Sequence, residues 1–561
     1  MSKLDWYVLI ITLTGIAAYG IWKSRHTRTL QTFLLADKQL PWYHIAFSVM
    51  ATQASAITFL SAPALGYTDG LRFIQFYFGL PLAMIVLCIT FVPIFHKLNV
   101  YTAYEYLEKR FDLKTRTLTA FLFLLQRGVS NGISIYAPAI VLSAILNINI
   151  TYTTVFIGLL VMLYTVYGGT KAVSHTQLLQ MSIIFSGLFI SAYMIVHMLP
   201  PDVGFTDALH LAGKLGKMNA IDTGFDLNNR YNIWSGIIGG FFLQLSYFGT
   251  DQSQVGRYLT GSSVTQSRLG LIFNGIIKIP MQFLILLIGV LMFTFYQFHE
   301  APLFFNPVET NKIENSIYKN EFENLKNEYS AISNSKNEQS QKLLSSLKTN
   351  NTTAYSEAEK ELKELEKQSQ TMRGNVSELI KKYDPLADTN DNNYIFLNFV
   401  THHLPKGIAG MLIAIIFLAS MGSMASGLNS LASTTVVDIY KRLIHKDTDR
   451  KEYLKVSRWS TFLWGLFCIA AALFASKLGN LIEAVNILGS LFYGTILGIF
   501  VTAFYLKHVK GNAVFYAAIL AEAFVVIAWI YDLTAFLWLN LIGCVLVMLF
   551  ALLLQQFRKK A

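Results

Sequence analysis

Apolar residues fall into long runs divided by short polar stretches, and the runs are too long for the strands or surface helices of a water-soluble fold. Trp6 to Trp22, Ile183 to Leu199 and Phe536 to Leu554 each approach the ~20 apolar residues that carry a helix across a bilayer. Such windows recur near residues 4–22, 45–66, 75–95, 117–146, 150–167, 178–199, 233–250, 269–298, 405–430, 458–476, 481–506, 512–531 and 533–557. They predict an all-α polytopic membrane protein with about 13 transmembrane helices.

The polar stretches between the runs predict an orientation. Lys23, Arg25 and Arg28, then Lys97, Lys109 and Arg110, Lys171, Arg257 and Arg268, Lys441, Arg442 and Lys451, and Lys507 and Lys510 fall on alternate connections, with Arg558 to Lys560 at the tail. An outside N-terminus puts all of them on the cytoplasmic side, as the positive-inside rule requires, and an odd number of spans puts the C-terminus there too. The first run is followed by these cations instead of a small-residue cleavage site, so it is expected to remain as a helix. The expected location is a plasma membrane.

Composition agrees with that reading. Charged residues make up 14% of the 561, against roughly 25% in soluble domains, too few to coat a water-exposed surface. The net charge of +11 sits beside apolar runs and forms no single patch, so it argues topology and not nucleic acid. Cys88, Cys468 and Cys544 lie inside apolar segments without metal-like spacing, which supports neither a disulfide framework nor a zinc site. There is no phosphate-binding P-loop, no His-Glu-x2-His and no Gly-x-Ser-x-Gly motif, so ATP-driven pumping and hydrolysis are not expected. The chain reads as no enzyme, with no cofactor.

Residues 301–395 break the apolar pattern, with 12 basic and 15 acidic residues. Ile313 to Leu347 and Ala354 to Tyr383 are rich in Lys, Glu, Leu and Ser and flank the turn-like Thr349-Asn350-Asn351-Thr352-Thr353. They predict a helical hairpin on the outer face, either a solvated spacer or an arm for a protein partner.

Two spans carry small polar residues: Ala51-Thr52-Gln53-Ala54-Ser55-Ala56-Ile57-Thr58 with Pro63 and Gly66 in the second, and Ala419 to Ser430 in the ninth. Each alone suits close helix packing. Together they suit a site in which unwound or loosely packed places supply carbonyl and hydroxyl oxygens to a sodium-like ion. Lys278 and Arg127 are ionisable groups within apolar spans, where charge is costly and marks function or a structural polar partner.

Phe33 to Trp42, Tyr101 to Phe111, Tyr164 to Ala172, Gly249-Thr250-Asp251-Gln252 with Arg257-Tyr258, and Asn429 to Tyr440 resemble signature segments of the sodium:solute symporter family, in order and across nearly the whole chain outside the insert. The resemblance implies a leucine-transporter-like core of two five-helix inverted repeats that couples sodium entry to solute uptake by alternating access. On that plan residues 1–44 hold the first helix and a cytoplasmic loop, 45–300 the first repeat and the start of the second, 301–395 the insert, 396–506 the rest of the second repeat, and 507–561 the added C-terminal helices. The implied sodium ligands are the carbonyls of Ala51, Ala54 and Ala419, with Gly422 and Ser423 where relatives often carry two hydroxyls; Gly422 lacks one. Many relatives have Asp where Gln177 stands, and in some it helps to bind another sodium, so the amide implies one coupled ion.

The family's sugar carriers align Gln53, Thr58, Tyr77, Gln244, Tyr247 and Lys278 with their solute pocket. Tyr77 replaces an acidic residue there and Thr58 a glutamine, which weakens sugar specificity. Ser55 to Pro63 and Tyr136 to Ala139 look more like the monocarboxylate, multivitamin and iodide branch, implying a small anion, with Arg127 as an anion contact, Asn486 as a further pocket residue and Tyr247 as an inner gate. Asp251 is expected to pair with Arg257 only if the seventh helix ends between them. The resulting expectation is a sodium-coupled symporter in a lipid bilayer, importing a small solute. A membrane sensor using its outer hairpin, and a proton-coupled or uncoupled carrier of sugar or another solute, stay open.

Overall fold

The computed structural model describes residues 1–24, 38–98, 100–385, 387–444 and 450–560. Phe33 to Asp37 of the first signature segment, with Arg25 and Arg28, lie outside them. Among the described residues the chain is helical, and its one β feature is an isolated bridge between Leu40 and Gly261. Among the described residues, eight helical stretches are long and apolar enough to cross a bilayer: Ala56–Leu98, Leu113–Leu146, Val173–His197, Val264–Phe298, Ile408–Ile444, Leu481–Tyr505, Gly511–Ile530 and Phe536–Phe557.

The helices that position the site are α1 (Lys3–Ser24), α2 (Trp42–Gln53), α3 (Ala56–Asp69), α4 (Leu113–Leu146), α5 (Ile150–His197), α6 (Gly240–Thr250), α7 (Gln252–Tyr258) and α8 (Val264–Phe298). After the insert helices α9 (Lys319–Lys348) and α10 (Thr352–Tyr383) come α11 (Ile408–Thr434), α12 (Arg450–Ala472), α13 (Leu481–Tyr505), α14 (Gly511–Ile530) and α15 (Phe536–Lys560). Their starts obey local chemistry. Asp112 caps α4 by accepting from the Thr115 N–H at 2.8 Å, and Asn480 caps α13 by accepting from the N–H groups of Ile482 and Glu483.

The fifth and sixth apolar windows differ from expectation, because helical backbone continues through the connection between them. α5 has 48 residues, more than twice the ~20 that one crossing needs. Its two arms run in opposite directions. In the first, Gly158 meets Ile469 and Met162 meets Gly465, antiparallel to α12; in the second, Gln177 lies against Gly422 and Gly187 against Ile415, antiparallel to α11.

α2 and α3 pack along α8, and α11 lies between α1, α4, α5 and α12. Small residues let backbones approach where α3 crosses α8: Gly66 faces Leu286, and Gly289 faces Pro63 and Gly66. One end of the molecule is tied by a charge cluster. Arg116 reaches Asp438 at 2.6 Å and Glu108 at 2.7 Å, Arg442 also pairs with Glu108, and Thr102 donates to Asp438.

The insert folds at the other end. α9 and α10 pack on each other around Phe322, Tyr329, Val376, Leu379 and Ile380, and the turn between them includes Asn350 at φ 54°. Lys336 and Glu366 pair at 2.8 Å between the two helices. Arg373 of α10 grips both oxygens of Asp391, at 2.9 and 2.8 Å, at the root where the chain returns to the bundle.

The crossing of α3 over α8 yields a direct test. A Cβ on Gly289 would sit 2.8 Å from the Gly66 Cα, so Gly289→Leu should cost at least about 1–3 kcal/mol through overpacking. Thermal unfolding of the purified variant should show the loss, whereas Gly374→Ala, inside α10 with nothing within 4 Å of the added Cβ, should not lower the midpoint and should raise it slightly, since alanine suits a helix interior better than glycine by up to about 1 kcal/mol.

Candidate functional site

The site begins where the second span stops being a helix. α2 ends at Gln53, Ala54 has φ −81° and ψ 85°, Ser55 is extended at φ −89° and ψ 176°, and α3 starts at Ala56. Around the break the Ala54 N–H donates to Met50 O at 2.8 Å, Ser55 N–H to Gln53 O at 3.1 Å and Thr58 N–H to Ser55 O at 3.0 Å. Among the described residues, no backbone N–H donates to the carbonyls of Ala51, Thr52 or Ala54. Free carbonyls in a water-poor interior are costly unless a cation or polar group meets them.

The ninth span does not unwind. α11 runs unbroken from Ile408 to Thr434, and its serines are satisfied by their own helix: Ser423 donates to Ser420 O at 3.1 Å, Ser426 to Gly422 O at 2.9 Å and Ser430 to Gly427 O at 2.7 Å. The second interruption lies instead in the seventh span. α6 ends at Thr250, Asp251 is extended at φ −74° and ψ 117°, and α7 begins at Gln252.

The second and ninth spans meet inside the protein. Thr52 donates to the Ser426 hydroxyl at 3.2 Å. Gln177 of α5 bridges them: its Oε1 accepts from Ser48 at 2.6 Å, and its Nε2 lies 3.2 Å from Thr52 Oγ1, 3.3 Å from Gly422 O and 3.1 Å from Ser426 Oγ. Three oxygens thus surround one amide nitrogen, and the Gly422 carbonyl is turned toward it.

A cavity of about 90 Å3 opens beside the break. Its wall includes Gln53, Thr58, Tyr77, Gln244, Tyr247, Asn486, Arg127 and Ser423. Ala51, Ala54 and Ala419 lie off the wall, buried at 2%, 0% and 2% exposure. Lys278 is also off the wall: fully buried, its Nζ lies 5.8 Å from the centre of the Tyr77 ring and has no hydrogen-bond partner. Gln53 Oε1 and both amide atoms of Gln244 lack partners as well, so the cavity keeps polar atoms free for a guest. Asn486 spends its amide on Ile482 O at 2.8 Å, and Tyr247 accepts from Gln254 at 2.6 Å.

The expected pairing of Asp251 with Arg257 does not form, because the two residues sit at opposite ends of α7. Asp251 caps that helix, accepting from the Ser253 N–H at 2.8 Å and hydroxyl at 2.6 Å, and faces Arg127 at 3.6 Å. Tyr493 donates to its other oxygen at 2.8 Å. Tyr493 and Asn131, also on the cavity wall, were not singled out from the sequence; a polar group inside an apolar span was the available signal for both.

The geometry is that of a solute pocket beside a broken membrane helix, and comparison with known proteins gives its family. A model of the sodium:solute symporter family matches residues 33–321 and 385–521. The chain belongs to that family. It is 26% identical over 498 residues to the sodium/glucose cotransporter of Vibrio parahaemolyticus, covering 86% of this chain and 77% of that one. It is 24% identical over 561 residues to the sodium/sialic acid symporter NanT of Aliivibrio fischeri, covering 98% and 92%. The match to the human sodium/iodide cotransporter, 28% identical over 289 residues, covers 52% of this chain and 44% of that longer protein. The substrate-bound, outward-open structure of a sodium-coupled sialic acid symporter shares the fold, with a TM-score of 0.76 at 22% identity over 99% of this chain and 98% of that one. The relatives are named transporters, and this member of the family is a multi-pass membrane transporter, not an enzyme.

Asp251→Asn removes the carboxylate that faces Arg127 and should cost about 3–5 kcal/mol, the toll of leaving a buried charge unpaired. Thermal unfolding should register the loss, and pairing the change with Arg127→Met should recover most of it.

Proposed function

We propose that this transporter imports a small anion together with one sodium ion by alternating access. The observation that carries the reading is a single cavity that joins Arg127, Ser423 and the residues of the α2–α3 break. The carbonyls of Ala51 and Ala54, unclaimed by backbone donors, are hard oxygens suited to sodium, and Ala419 and Ser423 of α11 complete the seat. Gly422 contributes less than the resemblance implies, since its carbonyl faces Gln177. Arg127 and Lys278, the second held behind Tyr77, set the pocket's preference for negative charge. Occupation of the sodium seat favours the anion-accepting state, since coupling requires different affinities in the two conformations.

The architecture proposed for this cycle is the inverted-repeat core of two five-helix units with about 13 crossings in all. The N-terminus is outside, the C-terminus and the Arg116–Asp438 cluster are cytoplasmic, and the hairpin stands on the outer face of a bacterial inner membrane. A sodium count of one rests on Gln177. Its amide nitrogen already donates into the oxygens of Thr52, Gly422 and Ser426, where a second cation would otherwise be drawn.

Uptake into proteoliposomes under an imposed sodium gradient tests the reading with a panel of monocarboxylates, halides, vitamins and sugars, with and without a pH gradient. Sodium-stimulated entry of an anion is expected; stimulation by the pH gradient alone, or sodium-driven entry of a neutral sugar, would replace the reading. Ser423→Ala should raise the sodium concentration for half-activation by roughly tenfold, the value of about one hydrogen-bonded ligand. Gln177→Asp should steepen the sodium dependence from first order toward second, because a carboxylate among those oxygens requires a cation; an unchanged slope would remove Gln177 from control of stoichiometry.

A further inference from the structure

Among the described residues, no carboxylate pairs with the buried cation Arg257. It is 3% exposed, and its Nε and Nη1 have no hydrogen-bond partner. It lies in the last turn of α7, a helix packed against α2, α6, α8 and α11. None of these five helices contains an Asp or Glu. Asp251 stands at the far end of α7 and is engaged by Ser253, Tyr493 and Arg127. The acids of the adjoining segment are occupied too: Glu105 accepts the N–H groups of Tyr101 and Thr102, and Asp438 holds Arg116 and Thr102.

A guanidinium removed from water without a carboxylate is strongly unfavourable unless an anion accompanies it. Its place says which way the anion travels. Gln252, at the start of α7, bonds Tyr101 O at 2.9 Å and Ala103 N–H at 3.1 Å, so α7 lies toward the end of the molecule that carries the Arg116–Asp438 cluster. Arg127, on the cavity wall, is partly neutralised by Asp251, whereas Arg257 beyond the break is not.

We propose that Arg257 forms a second anion subsite between the central cavity and the cytoplasmic end, taking up a small carboxylate or halide after it leaves the level of Arg127. The proposal rests on the anion reading of the transport cycle. The planar fork matches a carboxylate with two parallel hydrogen bonds and a halide with one or two. The stronger uncompensated charge lies inward, so movement from Arg127 to Arg257 is favourable, and the anion then leaves to water.

The test is thermal unfolding of the purified full chain in sodium gluconate, sodium chloride and sodium acetate at one sodium concentration, with choline gluconate as the sodium-free arm. Chloride or acetate should stabilise the wild type relative to gluconate, the larger anion. Arg257→Gln should weaken that response by about tenfold or more in anion concentration. In gluconate it should be more stable than the wild type, since it removes a lone buried charge. A response to chloride alone identifies a resident halide, and one to acetate the transported carboxylate.

Equal anion responses in the wild type and Arg257→Gln would overturn the subsite, as would no response in the wild type or a uniform loss of stability in every salt. If the glutamine variant fails to fold, Arg257→Lys keeps the charge without the fork and should lose acetate affinity; undiminished affinity would overturn the proposal. Sodium stabilisation with equal anion responses would leave the symport reading standing and remove the subsite. An anion response lost in Arg257→Gln, with no difference between sodium and choline, would do the reverse.

Discussion

A backbone that leaves the helix inside a membrane must find partners for the groups it frees, and the protein is arranged around that requirement. At Ala54 and Ser55 about one turn of helical hydrogen bonding is lost, and among the described residues the carbonyls of Ala51, Thr52 and Ala54 are left without backbone donors. The same interruption separates α2 from α3, so the two halves need not move together. α2 is tied to α5 and α11 through Ser48, Thr52 and Gln177, whereas α3 is tied to the insert root through Ser61 and Asn393 at 2.7 Å. One local failure of helical bonding therefore leaves oxygens that the proposed sodium seat would use, and a joint between the two ends of the protein.

The second break is answered differently. Asp251 uses its carboxylate to cap the new helix and to face Arg127, so backbone and charge are satisfied by one side chain. Tyr493 completes its shell from α13. The walls of the cavity are thus drawn from both broken spans, from the short helix Gly70–Tyr77 that follows α3, and from α4, α11 and α13.

Sequence and structure part company at places where composition is ambiguous. Thr52 to Ser55 and Ser420 to Ser430 look alike in the chain, yet one stretch unwinds and the other stays helical, because serines spaced along a helix can bond carbonyls three or four residues back. The window at 233–250 reads as a complete span, so Asp251 looked like its terminus; only the helix that resumes at Gln252 reveals an interruption. The connection between the fifth and sixth windows carries Gly168 and Gly169, which weaken a helix without forbidding one, and the backbone stays helical there. The apolar windows and the residues around Ala54 were legible because hydropathy and small polar side chains act locally. Arg127 meeting Asp251 was not, because more than a hundred residues separate them.

If Gln177 holds the cycle to one sodium per anion, as proposed, the cycle has an electrical consequence. A cycle that carries one monovalent cation with one monovalent anion transfers no net charge. Membrane voltage, worth about 2.3 kcal/mol per elementary charge at 100 mV, would then neither pull the solute in nor hold it back. Accumulation would stop when the solute ratio across the bilayer equals the inverse of the sodium ratio, a ceiling set by chemistry at a single uncharged side chain.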